Sequence, residues 1–223
     1  HLYEEYSKNF VNLLRGMFAI ALWDQKEKRL FIIRDRIGKK PLYYYINPNF
    51  FVFSSELNSL LEFGKIKREI NPKSIDLFLS LQYIPSPYTV FKDIKKLPPA
   101  TMMIIDKNRV EEEKYWELKS YDINLSFNEA KEKIREMVFE STKIRMHADV
   151  EIGAFLSGGI DSSVIVGVMS HLSEKPVKTF SIGFKEEDYS ELRYARAVAE
   201  KFSTSHNEFI VDEKMTDVLP KLV

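Results

Sequence analysis

The sequence contains no cysteine, which excludes disulfides, zinc–thiolate sites and thiol nucleophiles from all 223 residues. It carries no excess charge of either sign. Its 33 basic and 33 acidic residues cancel, so no overall field draws it to nucleic acid or to an anionic membrane. Long hydrophobic runs are also missing. The longest, Gly16 to Trp23, is far too short to span a bilayer, and no signal-peptide pattern opens the chain. The four histidines, His1, His147, His171 and His206, are scattered without ligand spacing, which argues against a histidine-built metal site. What is present is 44% hydrophobic and 30% charged, the balance of a soluble, cytoplasmic chain of one or two domains.

Two halves differ in rhythm. In the first, short apolar stretches flank polar turns: Met17 to Asp24 and Arg29 to Arg34 around Gln25–Lys28, then Leu42 to Ile46 and Phe50 to Ser54 around Asn47-Pro48-Asn49. Helices are expected from Ser55 to Phe63 and, capped by Asn71-Pro72, through Leu81. The stretch from Tyr83 to Pro99 holds four prolines and reads as irregular. Ala100–Ile105 and Arg109–Trp116 form a further hairpin around Asp106-Lys107-Asn108, with Glu111-Glu112-Glu113 decorating a solvent-facing or edge strand. After a polar linker near Glu117–Leu125, Ser126 and Glu129 form a capping box, and Ala130, Ile134, Met137, Val138, Ser141 and Ile144 mark one helix stripe. Strands Ile152–Leu156, Val177–Phe184 and Asn207–Val211 then alternate with helices Ser162–Leu172 and Glu191–Phe202, the pattern of a parallel sheet. The expected fold is α+β followed by α/β, with domains at 1–120 and 121–223. Helical periodicity already runs at Leu2, Tyr6 and Phe10, and another helix-like segment follows Asp212, so the chain reads as a piece of a longer protein.

The chemistry-bearing motif is Ser157-Gly158-Gly159-Ile160-Asp161-Ser162-Ser163, between a buried strand and a helix. Glycines let backbone N–H groups approach an anion, and the helix start supplies unpaired donors with a favourable dipole. Ser157, Ser162 and Ser163 can add hydroxyl donors. Asp161 accepts only and would repel a bare phosphate, which argues for a bridging Mg²⁺. No Gly-Lys-Ser/Thr is present, so this is not the Walker-type loop. The bland reading is a Ser/Gly-rich turn with a helix cap; its place at the C-terminal end of a strand, where such sheets bind ligands, favours the phosphate reading.

Ser-Gly-Gly-x-Asp-Ser after a hydrophobic strand is similar to the signature of N-type ATP pyrophosphatases. The preceding Asp149–Leu156, the strand Thr179–Phe184, and Tyr189-Ser190-Glu191 with Ala195, Ala197, Ala199 and His206 resemble the asparagine synthetase family. Arg15–Asp24, Arg34–Tyr44 and Phe53–Glu56 resemble the C-terminal part of its Ntn-type glutaminase domain. Read without that likeness, they are hairpins with a tight Gly38 turn, and Arg34, Asp35 and Arg36 are either a solvated cluster or a buried network at a domain interface. The resemblance implies an antiparallel glutaminase domain followed by the start of a parallel-sheet ATP-pyrophosphatase (adenine nucleotide alpha hydrolase-like) domain. It implies that glutamine supplies ammonia and that ATP and aspartate form β-aspartyl-AMP, with a homodimer allowed. Leu156, Ser157, Gly158, Gly159, Asp161, Ser162, Ser163 and Ile182 would then hold ATP, with Asp161 on Mg²⁺. No residue of the chain is assigned a catalytic role.

The sequence also departs from that family. Its glutaminase uses an N-terminal cysteine, which is absent here, and its second Ser-Gly-x-Gly loop and catalytic lysine have no counterpart up to Val223. A relative acting on another carboxylate, such as a β-lactam synthetase or an ATP-pyrophosphatase amidotransferase of polysaccharide biosynthesis, and a non-catalytic nucleotide-binding or regulatory protein are the competing readings. Without a thiol, this chain is expected to release no glutamate from glutamine and to ignore thiol reagents. A coupled glutamate assay on the purified chain checks this, and glutamate production would contradict the reading of the first half as a truncated glutaminase without its cysteine.

Overall fold

The computed structural model describes residues 1–107, 109–121, 124–184 and 190–211. They fall into two units, His1–Tyr121 and Asp122–Val223. The helix-like segment after Asp212, Asn108 of the third turn and Tyr189 of the family-like stretch lie outside the described residues.

Strands β1 (Ala19–Asp24) and β2 (Arg29–Arg34) pair antiparallel, Ala19 opposite Arg34 and Asp24 opposite Arg29. Asp24 closes their turn: one carboxylate oxygen accepts from the N–H groups of Lys26 and Glu27 at 2.8 and 2.9 Å. The same device recurs between β3 (Tyr43–Ile46) and β4 (Phe51–Ser54), where Asn47 Oδ1 accepts from Asn49 and Phe50. It recurs again between β6 (Thr101–Ile105) and β7 (Val110–Lys114), where Asp106 accepts from Arg109 N–H. One sheet runs β1-β2-β6-β7. The second runs β4-β3-β5 and includes β5 (Ile94–Lys96), which corrects the irregular reading of Tyr83–Pro99: three residues there pair with β3 despite the flanking prolines.

The central strands β2 and β6 are buried on both faces. Phe31, Ile33 and Met102 pack with Phe10 and Val11 on one side, and Ile32 and Met103 with Leu42, Tyr44 and Leu97 on the other. Helix α1 (Leu2–Tyr6) gives way to a 3₁₀ segment, Ser7–Leu13, which delivers Phe10 and Val11 to that core. The next helices are α2 (Leu57–Glu62) and α3 (Pro72–Leu81), the latter capped by Asn71. Glu111, Glu112 and Glu113 lie on β7, an edge strand, where Glu112 accepts from the Tyr44 hydroxyl and Glu113 pairs with Lys8.

Arg34 and Asp35 form a buried network inside the first unit. The Arg34 guanidinium donates to the carbonyls of Lys40, Leu97 and Gly38 at 2.9, 2.6 and 2.8 Å. Asp35 is fully buried and accepts from the N–H groups of Phe18, Ile37, Lys39 and Lys40. Gly38, at φ 67°, passes so close to Arg34 that a Cβ would stand 3.1 Å from the guanidinium carbon. Arg36 reaches Asn12 O and the face of Trp116.

In the second unit, Ser126 caps α4 (Phe127–Arg145) through the anticipated box with Glu129. The α4 stripe is in place, but Ile134 and Met137 are 62% and 60% exposed and line an open apolar groove with β8 (Gly153–Phe155) and α5 (Ile160–Leu172). Strands β8, β9 (Lys178–Phe184) and β10 (Ser205–Val211) form a parallel sheet in the order β10-β9-β8. Leu156 and Ala154 meet Val166 of α5 and Ala195 and Ala199 of α6 (Leu192–Lys201), so the small side chains of α6 let it lie close to the sheet. His206 packs on edge strand β10 with Nδ1 2.9 Å from Thr179 Oγ1, away from any described ligand cluster.

Burial alone would push the Asp35 carboxyl up, yet the four N–H donors hold it below the usual carboxylate range. A carboxylate that titrates lower when folded stabilises fully above about pH 5 and progressively less as pH falls through its folded value. Asp35→Ala removes a buried acceptor, leaves four part-buried N–H donors unmatched and is expected to cost about 3 kcal/mol. Both tryptophans, Trp23 and Trp116, lie in the first unit. Their fluorescence in urea should therefore report the loss and a flatter acid limb; a change under about 1 kcal/mol would contradict this account.

Candidate phosphate-binding loop

Strand β8 ends where Leu156 is held through both of its backbone groups. Its N–H donates to Phe180 O at 2.8 Å, and its carbonyl accepts from the Ser181 hydroxyl. Its side chain is 1% exposed. The chain therefore leaves the sheet at a set place, and Ser157 to Gly159 form the turn into α5.

Helix α5 begins two residues earlier than the periodicity predicts. Gly159 is its N-cap and contributes no side-chain cap, so Asp161 and Ser162 stand in the first turn. The N–H groups of Ile160, Asp161 and Ser162 precede the first helical carbonyl partner, since the ladder opens with Ser163 N–H to Gly159 O at 3.0 Å. These donors point out of a helix end whose dipole favours negative charge. The serines are satisfied within the loop. Ser162 and Ser163 hydroxyls donate to Gly159 O at 3.1 and 2.7 Å, and Ser157 Oγ accepts from Gly159 N–H and lies 3.0 Å from Ser162 Oγ. A ligand oxygen would thus meet backbone N–H groups first, and the hydroxyls after they turn outward. Asp161 is exposed, and its carboxylate has no hydrogen-bond or ion-pair partner among the described residues.

The loop also leans on α6. Gly158 adopts φ 82°, and a Cβ there would lie 2.4 Å from Tyr194 Cβ and 2.6 Å from Ala195 N. Beside the loop, past the C-terminal end of β8 and against the middle of β9, opens a cavity of about 390 Å³. Leu156, Ser157, Ser162 and Ile182 all line it, while Gly158, Gly159, Asp161 and Ser163 do not. Its other walls are Phe155, Phe180, Ser181, Glu191, Leu192 and Ala195, none singled out from the sequence as a ligand contact. Phe180 shares a face of β9 with Ile182 by period-two alternation, so that spacing could have found it. The Ser181 bond to Leu156 O left no sequence signal.

A Mg²⁺ ion suits this donor set in kind. It is usually held by one or two carboxylates together with substrate phosphates, and Asp161 offers one hard oxygen donor at the mouth of the helix. No cluster of three or more ligating side chains exists among the described residues, so phosphate and water would complete the shell.

Residues 1–116 match the family model for a glutamine amidotransferase domain, and residues 133–223 that for asparagine synthase. A protein of Methanocaldococcus jannaschii described as putative asparagine synthetase [glutamine-hydrolyzing] 2 is 38% identical over 218 residues, 96% of this chain and 42% of that one. Asparagine synthetase [glutamine-hydrolyzing] 1 of Bacillus subtilis is 31% identical over 99% of this chain and 35% of its own length. Amidase chry2 of Gibberella zeae is 36% identical over 79% of this chain and 26% of its own. The chain therefore spans about two-fifths or less of the length of these relatives.

The two loop glycines differ in a way that can be measured. Gly158→Ala adds a Cβ where Tyr194 already stands and forces a positive φ, so a loss of about 2 kcal/mol or more is expected. Gly159 has an ordinary φ of −67° and only Ser157 Oγ, at 3.3 Å, near a Cβ. Gly159→Ala should cost less than about 1 kcal/mol. Thermal unfolding followed by circular dichroism separates the two, and equal losses would contradict the packing described.

Proposed function

The chain belongs to the family in which a glutamine amidotransferase domain precedes an asparagine synthase domain, and we propose that it serves ATP-dependent synthesis of asparagine from aspartate. On this reading residues 1–120 are part of an Ntn-type glutaminase domain, and residues 121–223 open an adenine nucleotide alpha hydrolase-like domain. The observation that carries it is the unpaired first turn of α5 at the C-terminal end of β8, beside a cavity with apolar walls.

Ser157, Gly158, Gly159, Ser162 and Ser163 hold the phosphates of ATP, and Leu156 and Ile182 flank its apolar part. Bound at Asp161, Mg²⁺ supplies charge neutralisation at the phosphates. An aspartate side-chain oxygen attacks the α-phosphorus as the bond to the bridging oxygen breaks, giving β-aspartyl-AMP and pyrophosphate. The α5 N–H groups face the charge that grows on the departing pyrophosphate. Ammonia from glutamine then attacks the acyl carbon, AMP leaves, and one proton is lost to give the amide. The likeness to a protein named amidase chry2 favours a second reading, in which the chain serves amide chemistry on a substrate other than aspartate.

Calorimetric titration of this chain with ATP, with and without Mg²⁺, tests the loop. Binding that tightens with Mg²⁺ is expected, and Asp161→Ala should abolish the metal-dependent part. An unchanged Mg²⁺ dependence in Asp161→Ala would remove Asp161 from the site. One lost electrostatic contact typically costs roughly 10²–10³ in rate. Lacking the family's second loop and lysine, this chain alone should therefore release no pyrophosphate from ATP, Mg²⁺, aspartate and ammonia.

A further inference from the structure

Among the described residues, Glu191 is the one ionisable residue that lines the cavity beside the loop, and none of the readings above uses it. It is exposed, and its carboxylate makes no hydrogen bond or ion pair with any described residue. It is the N-cap of α6 by position, and its side chain makes no capping hydrogen bond. Only its carbonyl is engaged there, accepting from Tyr194 and Ala195 N–H at 3.0 and 3.3 Å. The side chain is therefore available to a ligand, and α6 does not lean on it.

A carboxylate accepts hydrogen bonds and repels phosphate. Whatever part of a nucleotide lies against Glu191 must offer donors. The phosphate end is placed by Ser157 and Ser162, and the apolar end by Phe155, Leu156 and Ile182. Tyr194 and Ala195 touch Gly158. Glu191 stands three and four residues before them, about one helical turn, or roughly 5 Å, from the phosphate loop. In a nucleotide the group at that remove from the phosphates, with two hydroxyl donors, is the ribose. The arrangement parallels the general α/β solution in which an acidic residue beyond the second strand reads the sugar hydroxyls.

We propose that Glu191 is a specificity-determining residue that accepts a hydrogen bond from a ribose hydroxyl, so that the site selects ribonucleotides over deoxyribonucleotides. This rests on the nucleotide reading of the loop. The alternative is that Glu191 only enjoys the favourable end of the α6 dipole, which would make it a stability residue with no say over the sugar.

Titration of the 223-residue chain and of Glu191→Ala with Mg²⁺ and ATP, 2′-deoxy-ATP, 3′-deoxy-ATP or inosine triphosphate distinguishes these. The wild-type chain is expected to bind at least one deoxynucleotide about tenfold more weakly than ATP. Glu191→Ala should bind all three adenine nucleotides alike, at an affinity near that of wild type for the disfavoured one. Equal binding of ATP and both deoxynucleotides by wild type overturns the proposal while leaving the loop reading intact. So does discrimination that survives in Glu191→Ala, or an effect of the substitution confined to inosine triphosphate, which lacks the 6-amino group. No ATP binding by wild type overturns the loop reading and the proposal together.

Discussion

The attachment of Leu156 to β9 is the constraint on which the second unit depends. One residue places its N–H on Phe180 O, its carbonyl under the Ser181 hydroxyl and its side chain in the core with Val166, Ala195 and Ala199. With three kinds of contact satisfied at one position, β8 can neither slip in register nor extend. The next residues must turn, and the turn is shaped by Gly158 against α6. The donors of α5 consequently open beside the cavity instead of into the sheet. A single residue of slip would exchange buried Leu156 with exposed Phe155 or Ser157 and dismantle core and loop at once.

The first unit solves a related problem with charge. A loop from Asp35 to Pro41 has to cross between two sheets whose facing sides are apolar. The loop itself is largely exposed, and buried Arg34 and Asp35 tie it down from beneath: Arg34 donates to the Gly38 and Lys40 carbonyls and to Leu97 O, and Asp35 accepts from the N–H groups of Ile37, Lys39 and Lys40 and from that of Phe18. The adjacent pair thus acts as a template around which the loop folds, and the same polarity would be costly if either partner were lost.

Much of this was legible in the sequence wherever the controlling interaction is local. The three hairpins announced themselves through the turns Gln25–Lys28, Asn47-Pro48-Asn49 and Asp106-Lys107-Asn108, and Asp24, Asn47 and Asp106 each bond backbone two or three residues on. The Ser126–Glu129 box and the Asn71 cap are equally short-range. What stayed hidden is long-range. Strand β5 depends on pairing with β3 some fifty residues away, against the local message of the prolines. Arg34 and Asp35 could be read as solvated or buried until Leu97, a distant carbonyl, was seen to accept from Arg34. In the candidate site the loop motif was plain, whereas Ser181 and Glu191 reach the cavity only through the parallel pairing of β9 and the seat of α6.

The proposed function stands on backbone N–H groups at the junction of β8 and α5 receiving phosphate. Amide chemical shifts of the isotope-labelled chain, followed as ATP and Mg²⁺ are added, test this at the atoms concerned. The largest, saturable changes are expected on Gly158 through Ser163, with smaller ones at Ile182 and the start of α6. Shifts concentrated elsewhere, with the Gly158 to Ser163 amides unmoved at saturation, would contradict it.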